Sequence, residues 1–368
     1  MVDSPPSSAP PPAPNNSRRV GVAVGVSVVV AGGCAWLMYK GGLPVVPHES
    51  AFDSVRWWVM PVYVAVFWFC LLLRAVRWHW LVQPIQRVGM LRLLTVSFIF
   101  FGATIALPFR TGELVRPLLL YRKEHFSWWA VTGIVGAERI TDGLVLSVLL
   151  FVALQLAQPL PVLPHHIGNL PVPVAVVPSA AYSALAMFAG AFVAMGLFYW
   201  RRERMRRATV TAIGVVSHQL AELVAGVLER LADGLGFLPK TRYSVPFLGV
   251  TVAYWVIHAL NTWMLIWGVG LDSVTATQGA AVLGVLALGF LTPNAPGFFG
   301  TFQIALYAGL AMYLPPHEVV DKGAAAVFLM YVLQMGVVLG AAAIALVVES
   351  LSPPRQRSEV PLPAPAEA

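Results

Sequence analysis

Charged residues are scarce in this chain of 368 residues, and their scarcity argues against an ordinary soluble protein. Asp, Glu, Lys and Arg together make up 11% of the sequence, whereas hydrophobic residues make up 58%. Soluble globular proteins carry about 25% charged residues. Several apolar runs reach the roughly 20 residues that cross the hydrocarbon of a bilayer as a helix. The composition therefore predicts an integral membrane protein.

The sequence also lacks the motifs on which most enzymes depend. It has no glycine-rich phosphate-binding loop, no serine or cysteine nucleophile motif, and no polar stretch long enough for a catalytic domain. The histidines have no metal-ligand spacing. The two cysteines, Cys34 and Cys70, lie in apolar runs and indicate nothing about disulfides. We therefore expect no catalytic residue, no metal and no cofactor, and favour a transporter over an enzyme.

Basic residues outnumber acidic ones, with 24 Lys and Arg against 17 Asp and Glu. In a soluble domain this excess would suggest nucleic acid. Here the basic residues flank hydrophobic runs, where they set the orientation of a membrane protein, so no nucleic-acid partner is expected. The ends, residues 1–17 and 350–368, are rich in proline and poor in apolar residues, which predicts disordered tails.

Two hydrophobic segments, residues 91–121 and 278–313, are each interrupted near the middle. Both interruptions have the spacing Pro-x-x-x-Gly and begin at Pro108 and Pro293. Inside a bilayer, a broken helix is tolerated only where its backbone is buried in protein or lines a water-filled cavity. Two interruptions at corresponding places in two halves of a chain are typical of a transport site.

The distribution of arginine and lysine decides how each interrupted segment meets the membrane. The loops 74–92 and 201–242 are basic, whereas 157–173 and 271–277 contain no Lys or Arg. If each interrupted segment crossed once, the two basic loops would lie on opposite sides. If each is a re-entrant hairpin, both loops face the cytoplasm, as the positive-inside rule requires. This predicts a plasma (inner) membrane protein with both termini in the cytoplasm.

The predicted fold is an all-α polytopic membrane protein with about six spans and two re-entrant hairpins. Full spans are predicted at residues 20–39, 57–76, 128–156, 174–200, 246–270 and 323–348. Residues 18–156 and 174–349 form two repeats of opposite topology, which places a substrate site near the midplane. Within the second repeat, the cytoplasmic segment 201–242 has apolar residues at helical spacing. We predict a helix on the membrane surface there, with an ordinary bundle helix as the alternative.

Ionisable residues gather in the first interrupted segment and the span after it. They are Arg110, Glu113, Arg116, Glu138, Arg139 and Asp142. An unpaired charge at the centre of a membrane helix costs about 2.5–3.5 kcal/mol, so these residues should pair in the protein interior. One interpretation is a structural network that holds the hairpin to the next span. The other is that Arg110 or Arg116 also binds an anionic group, helped by the helix N-terminus near Thr111.

The second interruption is uncharged and is predicted to complete the substrate site. Asn294, Thr301 and Gln303 can bind polar groups, whereas Gly297 and Gly300 allow the turn. The alternative is that these residues only cap and close the turn.

At these residues the chain resembles a known family. The stretch LPFRTGELVRP at 107–117 and AERITD at 137–142 resemble the signature of the lysylphosphatidylglycerol synthase transmembrane family, and the second interruption is similar to its Pro-Gly-Gly-x-Gly element. The resemblance implies a stand-alone, flippase-like protein without the aminoacyl-transfer domain of bifunctional relatives. It also places the ionisable residues in a polar core. Phe298 stands where a second glycine is usual and Gln303 where an acidic residue is common, so we expect a difference in coupling or substrate.

The sequence leaves three functions open. The first is translocation or binding of an anionic lipid or lipid-linked sugar at a midplane polar cavity. The second is a membrane subunit of a lipid-modifying enzyme for aminoacyl or glycosyl transfer, with Glu113, Glu138 and Asp142 as acid or base groups. The third is a non-transporting scaffold that recruits a partner through residues 201–242. The partners expected are phosphate-bearing membrane lipids, with a membrane enzyme or a second copy of the chain as further candidates.

Overall fold

The computed structural model describes residues 38–351 and a few single positions between 25 and 36. The gaps within 38–351 are 168, 172–173, 205–206, 208–209, 212–217 and 293–294. The predicted N-terminal tail, most of the predicted first span, residues 20–39, and the predicted C-terminal tail beyond Leu351 therefore lie outside the described residues, whereas residues 350–351 belong to the last helix.

The described residues form an all-α protein with one short strand pair. The α-helices are, in chain order, α1 (Val59–Val76), α2 (Trp78–Val82), α3 (Met90–Ala106), α4 (Val115–Glu124), α5 (Trp128–Leu156), α6 (Val177–Trp200), α7 (His218–Asp233), α8 (Thr241–Gly268), α9 (Ala276–Gly289), α10 (Thr301–Ala311), α11 (Pro316–Val320) and α12 (Lys322–Leu351). Strands β1 (His166–Ile167) and β2 (Leu170–Pro171) pair antiparallel. Short 3-10 turns occupy Glu49–Phe52, Pro108–Leu114, Val174–Val176 and Pro296–Phe298.

Helices long and apolar enough to cross a membrane confirm the predicted class. Among the described residues there are 5 of them: Val59–Val82, Trp128–Leu156, Val174–Trp200, Thr241–Gly268 and Pro316–Leu351. They coincide with all the predicted spans except the one at 20–39. The chain is therefore an all-α, multi-pass membrane protein.

The first interrupted segment folds back on itself as a helical hairpin of α3, the turn Pro108–Leu114, and α4. At its open end, Arg92 Nε near the start of α3 lies 3.0 Å from the Glu124 carboxylate at the end of α4. At its closed end, Gly112 packs against the backbone of Ala103, where an added Cβ would lie 2.3 Å from the carbonyl. We call this unit the first hairpin.

The second interrupted segment is a similar unit, made of α9, the turn Pro296–Phe298, and α10. Its two helices run antiparallel and are in close contact. A Cβ added at Gly289 of α9 would lie only 2.5 Å from Ala305 Cβ of α10. Nearer the open end, a Cβ at Gly309 would lie 3.1 Å from Val282 Cα. We call this unit the second hairpin.

The open ends of the two hairpins lie at opposite ends of α12. At the C-terminal end of α12, Glu349 accepts hydrogen bonds from Arg92 and Lys123 of the first hairpin. At its N-terminal end, a Cβ added at Gly323 would lie 3.5 Å from Leu310 of the second hairpin. Because α12 has 30 residues, it is about 45 Å long. The two hairpins therefore point towards each other from its two ends.

Helix α7 lies within the segment that was predicted to be amphipathic. Just after it, Gly234 packs on the beginning of α5, where an added Cβ would lie 2.2 Å from the Ala130 carbonyl. Gly133 of α5 makes the reciprocal approach to Leu231, with 2.4 Å between an added Cβ and the carbonyl. The end of α7 is thus joined tightly to α5, and the placement of the segment on the membrane surface stays a prediction.

Replacing Gly112 by alanine tests the closed end of the first hairpin. The new Cβ would meet backbone rather than a flexible side chain, so we expect Gly112→Ala to lower the free energy of unfolding by about 1–3 kcal/mol. Gly136→Ala is the control, because an added Cβ there meets nothing within 4 Å. Unfolding in detergent, followed by circular dichroism, measures both variants. Equal stabilities would show that the turn is not packed against Ala103.

Candidate functional site

A cavity of about 460 Å³ lies where the two hairpins meet the long helices. Phe100 and Thr104 of the first hairpin line it, together with Phe290 and Phe298 of the second. The remaining walls come from α1, α5, α6, α8 and α12 and are largely aliphatic and aromatic. An apolar space with a few converging polar groups is the usual form of a small-molecule site.

Polar side chains from five parts of the fold reach this cavity. They are Arg74 of α1, Glu113 of the first hairpin, Arg139 and Asp142 of α5, Tyr254 and His258 of α8, and Gln334 of α12. Charged groups within membrane helices are rare and usually mark a functional site. The cavity is therefore the candidate functional site of the chain.

A network of buried charges lies directly behind the cavity. Glu138 has no exposed surface and accepts hydrogen bonds from Arg77 at 2.6 Å and from Arg116 at 2.9 Å. Arg77 also donates to both oxygens of Asp142, at 2.5 and 2.7 Å. Glu138 and Asp142 lie four residues apart on one face of α5, so a single guanidinium can bind both carboxylates. The network joins α1, the first hairpin and α5.

Both oxygens of the Asp142 carboxylate accept hydrogen bonds from other side chains of the protein. Besides the two bonds from Arg77, its Oδ1 accepts from the Tyr254 hydroxyl at 3.0 Å and from the Trp255 indole at 3.2 Å. Glu113 is not free either. The carboxylates of the site are therefore engaged by protein groups.

Two arginines at the cavity are satisfied less well. Arg139 Nη2 is 3.5 Å from Glu138, and neither this nitrogen nor Nε has a hydrogen-bond acceptor among the described residues. The guanidinium of Arg74 lies 4.9 Å from the ring centre of Phe101, and its buried Nε has no acceptor in the described part of the chain. The cavity wall therefore carries positive charge, with hydrogen-bond donors that have no acceptor in the described protein buried beside it.

Arg116 belongs to the buried network and not to the wall of the cavity. Its guanidinium is fully buried between the rings of Trp78 and Phe100, with its central carbon 4.0 Å from each ring centre. It does not line the cavity and is paired with Glu138 through Nη1, whereas its buried Nε and Nη2 have no acceptor among the described residues. Its position fits the structural interpretation of the predicted residues.

The structure brings most of the other predicted residues together. Glu113, Arg139 and Asp142 line the cavity, and Glu138 lies behind them. Thr111 is exposed on the turn of the first hairpin. The side chain of Arg110 and all of Asn294 lie outside the described residues.

The turn of the second hairpin has an unusual backbone. Gly297 and Gly300 have φ angles of 70° and 86°, which only glycine adopts readily. Phe298 has a φ of 55°, in the left-handed region, although it carries a bulky side chain. Gln303 is buried, and its side-chain oxygen accepts a hydrogen bond from the Gly300 N–H at 2.7 Å. It therefore caps the turn.

Sequence reasoning missed the contributions of α1 and α8. Arg74 and Arg77 follow an apolar run and were interpreted only as loop charges that set the topology. Arg77 follows directly on the last residue of α1 in helical conformation, so their separation of three residues puts both on one face at the end of that helix. On α8, Thr251, Tyr254 and His258 recur at helical spacing in an apolar span, and this polar stripe was the available signal.

Comparison with known proteins identifies the family. A model described as the lysylphosphatidylglycerol synthase TM region matches residues 22–342. No curated protein and no solved structure matches the chain.

Replacing Glu138 by glutamine tests the buried network. Two arginines would lose their shared counter-charge, so we expect Glu138→Gln to cost about 3–5 kcal/mol of stability. Glu203→Gln is the control, because its pair with Arg207 is exposed and should contribute less than about 1 kcal/mol. Chemical denaturation in mixed micelles measures both. A loss as small as that of the control would contradict a structural role for the network.

Two substitutions at Phe298 test whether its backbone is strained. Both Phe298→Ala and Phe298→Gly remove the ring, but only glycine adopts a left-handed conformation without penalty. After allowance for the greater entropy of glycine in the unfolded chain, we expect the glycine variant to be more stable by about 0.5–1 kcal/mol. Thermal unfolding of the two variants in one detergent measures the difference. A more stable alanine variant would show that position 298 carries no strain.

Proposed function

The chain belongs to the lysylphosphatidylglycerol synthase transmembrane family, and from this premise we propose that it binds an anionic lipid or lipid-linked sugar and translocates its headgroup through the cavity. The observation that carries this proposal is the chemistry of the cavity: engaged carboxylates, two arginines with unused donors, and apolar walls. The planar fork of arginine fits a phosphate, which accepts two parallel hydrogen bonds. Arg74 and Arg139 are the residues to which we assign this contact.

The direction of the hairpins supports access from both sides. Their open ends lie at opposite ends of α12, which is long enough to cross a bilayer. If α12 stands across the membrane, both hairpins are re-entrant, enter from opposite faces and meet at the cavity. The open end of the first hairpin then lies on the cytoplasmic side, together with both termini and the basic loops.

A set of reciprocal contacts supports an inverted repeat. Helix α3 of the first hairpin packs on α12, the span after the second hairpin, through Gly102 against Ala342. Helix α9 of the second hairpin packs on α5, the span after the first hairpin, through Gly284 against Leu150. Helices α1 and α8, which precede the two hairpins, pack against each other. A two-fold axis in the membrane plane relates such contacts and puts the cavity near the midplane.

In the proposed mechanism, the headgroup enters the cavity while the acyl chains remain in the surrounding lipid. The buried network keeps α1, α5 and the first hairpin in a fixed arrangement. The arginines replace the water that a phosphate loses on leaving the surface, which lowers the cost of placing its charge at the midplane. Movement of one repeat against the other then opens the cavity to either side.

The enzyme alternative has less support from the geometry. An acid or base group must reach its substrate and exchange a proton. Glu138 has no exposed surface, and both oxygens of Asp142 are hydrogen-bonded to Arg77. Both residues are therefore better suited to holding the fold than to proton transfer.

Neutral substitutions of the cavity arginines test the proposal. Because a hydrogen bond to a charged group contributes about 1.5–3 kcal/mol, we expect Arg74→Gln and Arg139→Gln each to slow lipid translocation at least about tenfold. Arg56→Gln is the control, because Arg56 pairs with Asp272 away from the cavity. The assay follows the exposure of fluorescent phosphatidylglycerol in vesicles that contain the purified protein. Wild-type rates for both cavity variants would overturn the proposal.

A further inference from the structure

We propose that binding of an anion in the cavity is coupled to protonation of His258. The inference rests on the proposed function, because it requires an anionic group beside Arg74. It adds a second, protonatable positive charge to the site and makes the lipid and a proton bind together.

His258 is placed to act on a ligand in the cavity. It lies in α8, is 9% exposed and lines the cavity next to the rings of Phe67 and Trp255, whose centres are 5.5 and 6.0 Å from its own. Its backbone carbonyl accepts from Thr262, but its ring has no hydrogen-bond partner among the described residues. A buried histidine held only by packing has ring nitrogens available to the cavity.

The net positive charge around His258 would fall when an anion binds. The other ionisable groups that line the cavity are Cys70 and Arg74 of α1, Glu113 of the first hairpin, Arg139 and Asp142 of α5, and Tyr254 of α8. Asp142 is neutralised by Arg77, and the Tyr254 hydroxyl donates to Asp142. Without a bound anion, the positive charge that acts on His258 is therefore mainly that of Arg74, and Arg139 adds a second positive charge to the cavity wall.

A bound phosphodiester places a negative charge among these groups. An opposite charge nearby favours the protonated imidazole, and the effect is strong in a cavity of low dielectric constant. By reciprocity, a protonated His258 strengthens anion binding by the same factor. Histidine titrates between about pH 5 and pH 8, where a phosphodiester keeps its single negative charge. Affinity should therefore rise as the pH falls.

The experiment measures the affinity of the full-length protein in detergent for short-chain phosphatidylglycerol at two pH values. We expect wild-type protein to bind about tenfold more tightly at about pH 5.5 than at about pH 8. His258→Gln should bind equally at both values, whereas His317→Gln should behave as wild type because His317 is exposed on α11. Glu113→Gln should keep the pH dependence, which separates His258 from the nearby carboxyl group.

A second measurement does not depend on any variant folding. Calorimetric titration of wild-type protein in two buffers of different ionisation enthalpy gives the number of protons taken up with the lipid. A net uptake of a fraction of a proton near neutral pH supports the coupling. The same titrations with the deacylated headgroup distinguish a lipid site from a site for a free phosphodiester, and pH-dependent binding of either supports the inference.

Failure of the coupling to His258 can be distinguished from failure of the proposed function. Binding that is independent of pH and takes up no proton, yet is weakened by Arg74→Gln, would overturn the coupling and leave the proposed function intact. The coupling would also be wrong if His258→Gln kept the full pH dependence. Absence of binding at both pH values would overturn the proposed function and the coupling together.

Discussion

The structure depends on the need to neutralise charge inside a membrane protein. Arg77 is the central residue of this neutralisation. Its guanidinium is fully buried and binds Glu138 and two oxygens of Asp142. Removing one partner of such a buried group leaves an uncompensated charge, which costs more than the pair contributes. The pairing therefore fixes α1 against α5, and through Arg116 it also fixes the first hairpin.

The same requirement explains the chemistry of the cavity. The carboxylates of α5 are bound from behind by Arg77 and Arg116, so the surface they present to the cavity has little capacity left to accept hydrogen bonds. Arg74 and Arg139 lie on the cavity side of these carboxylates, and some of their N–H donors have no acceptor within the part of the chain that the structure describes. One network thus stabilises the fold and leaves positive charge facing the cavity. A ligand that brings negative charge completes the neutralisation, whereas a cation would add to the imbalance.

Hydrophobic length and the two Pro-x-x-x-Gly interruptions were enough to predict five spans and both interrupted segments, because these features are local. The partners of the charges could not be predicted, because they come from helices far apart in sequence. Arg77 is 61 residues from Glu138, and nothing in its own segment marks it as more than a loop charge. The sequence left open whether Arg116 belongs to a structural network or to a cavity, because the rings of Trp78 and Phe100 that enclose it are known only from the packing.

The two positions of the second hairpin that the resemblance marks as unusual, Phe298 and Gln303, have different physical roles. Phe298 lines the cavity and adds apolar surface to its wall. Its backbone is in the left-handed region, which is less favourable for phenylalanine than for glycine. At position 303, the glutamine oxygen caps the Gly300 N–H, a bond that a carboxylate could also accept. An amide therefore caps this turn without adding a negative charge to it.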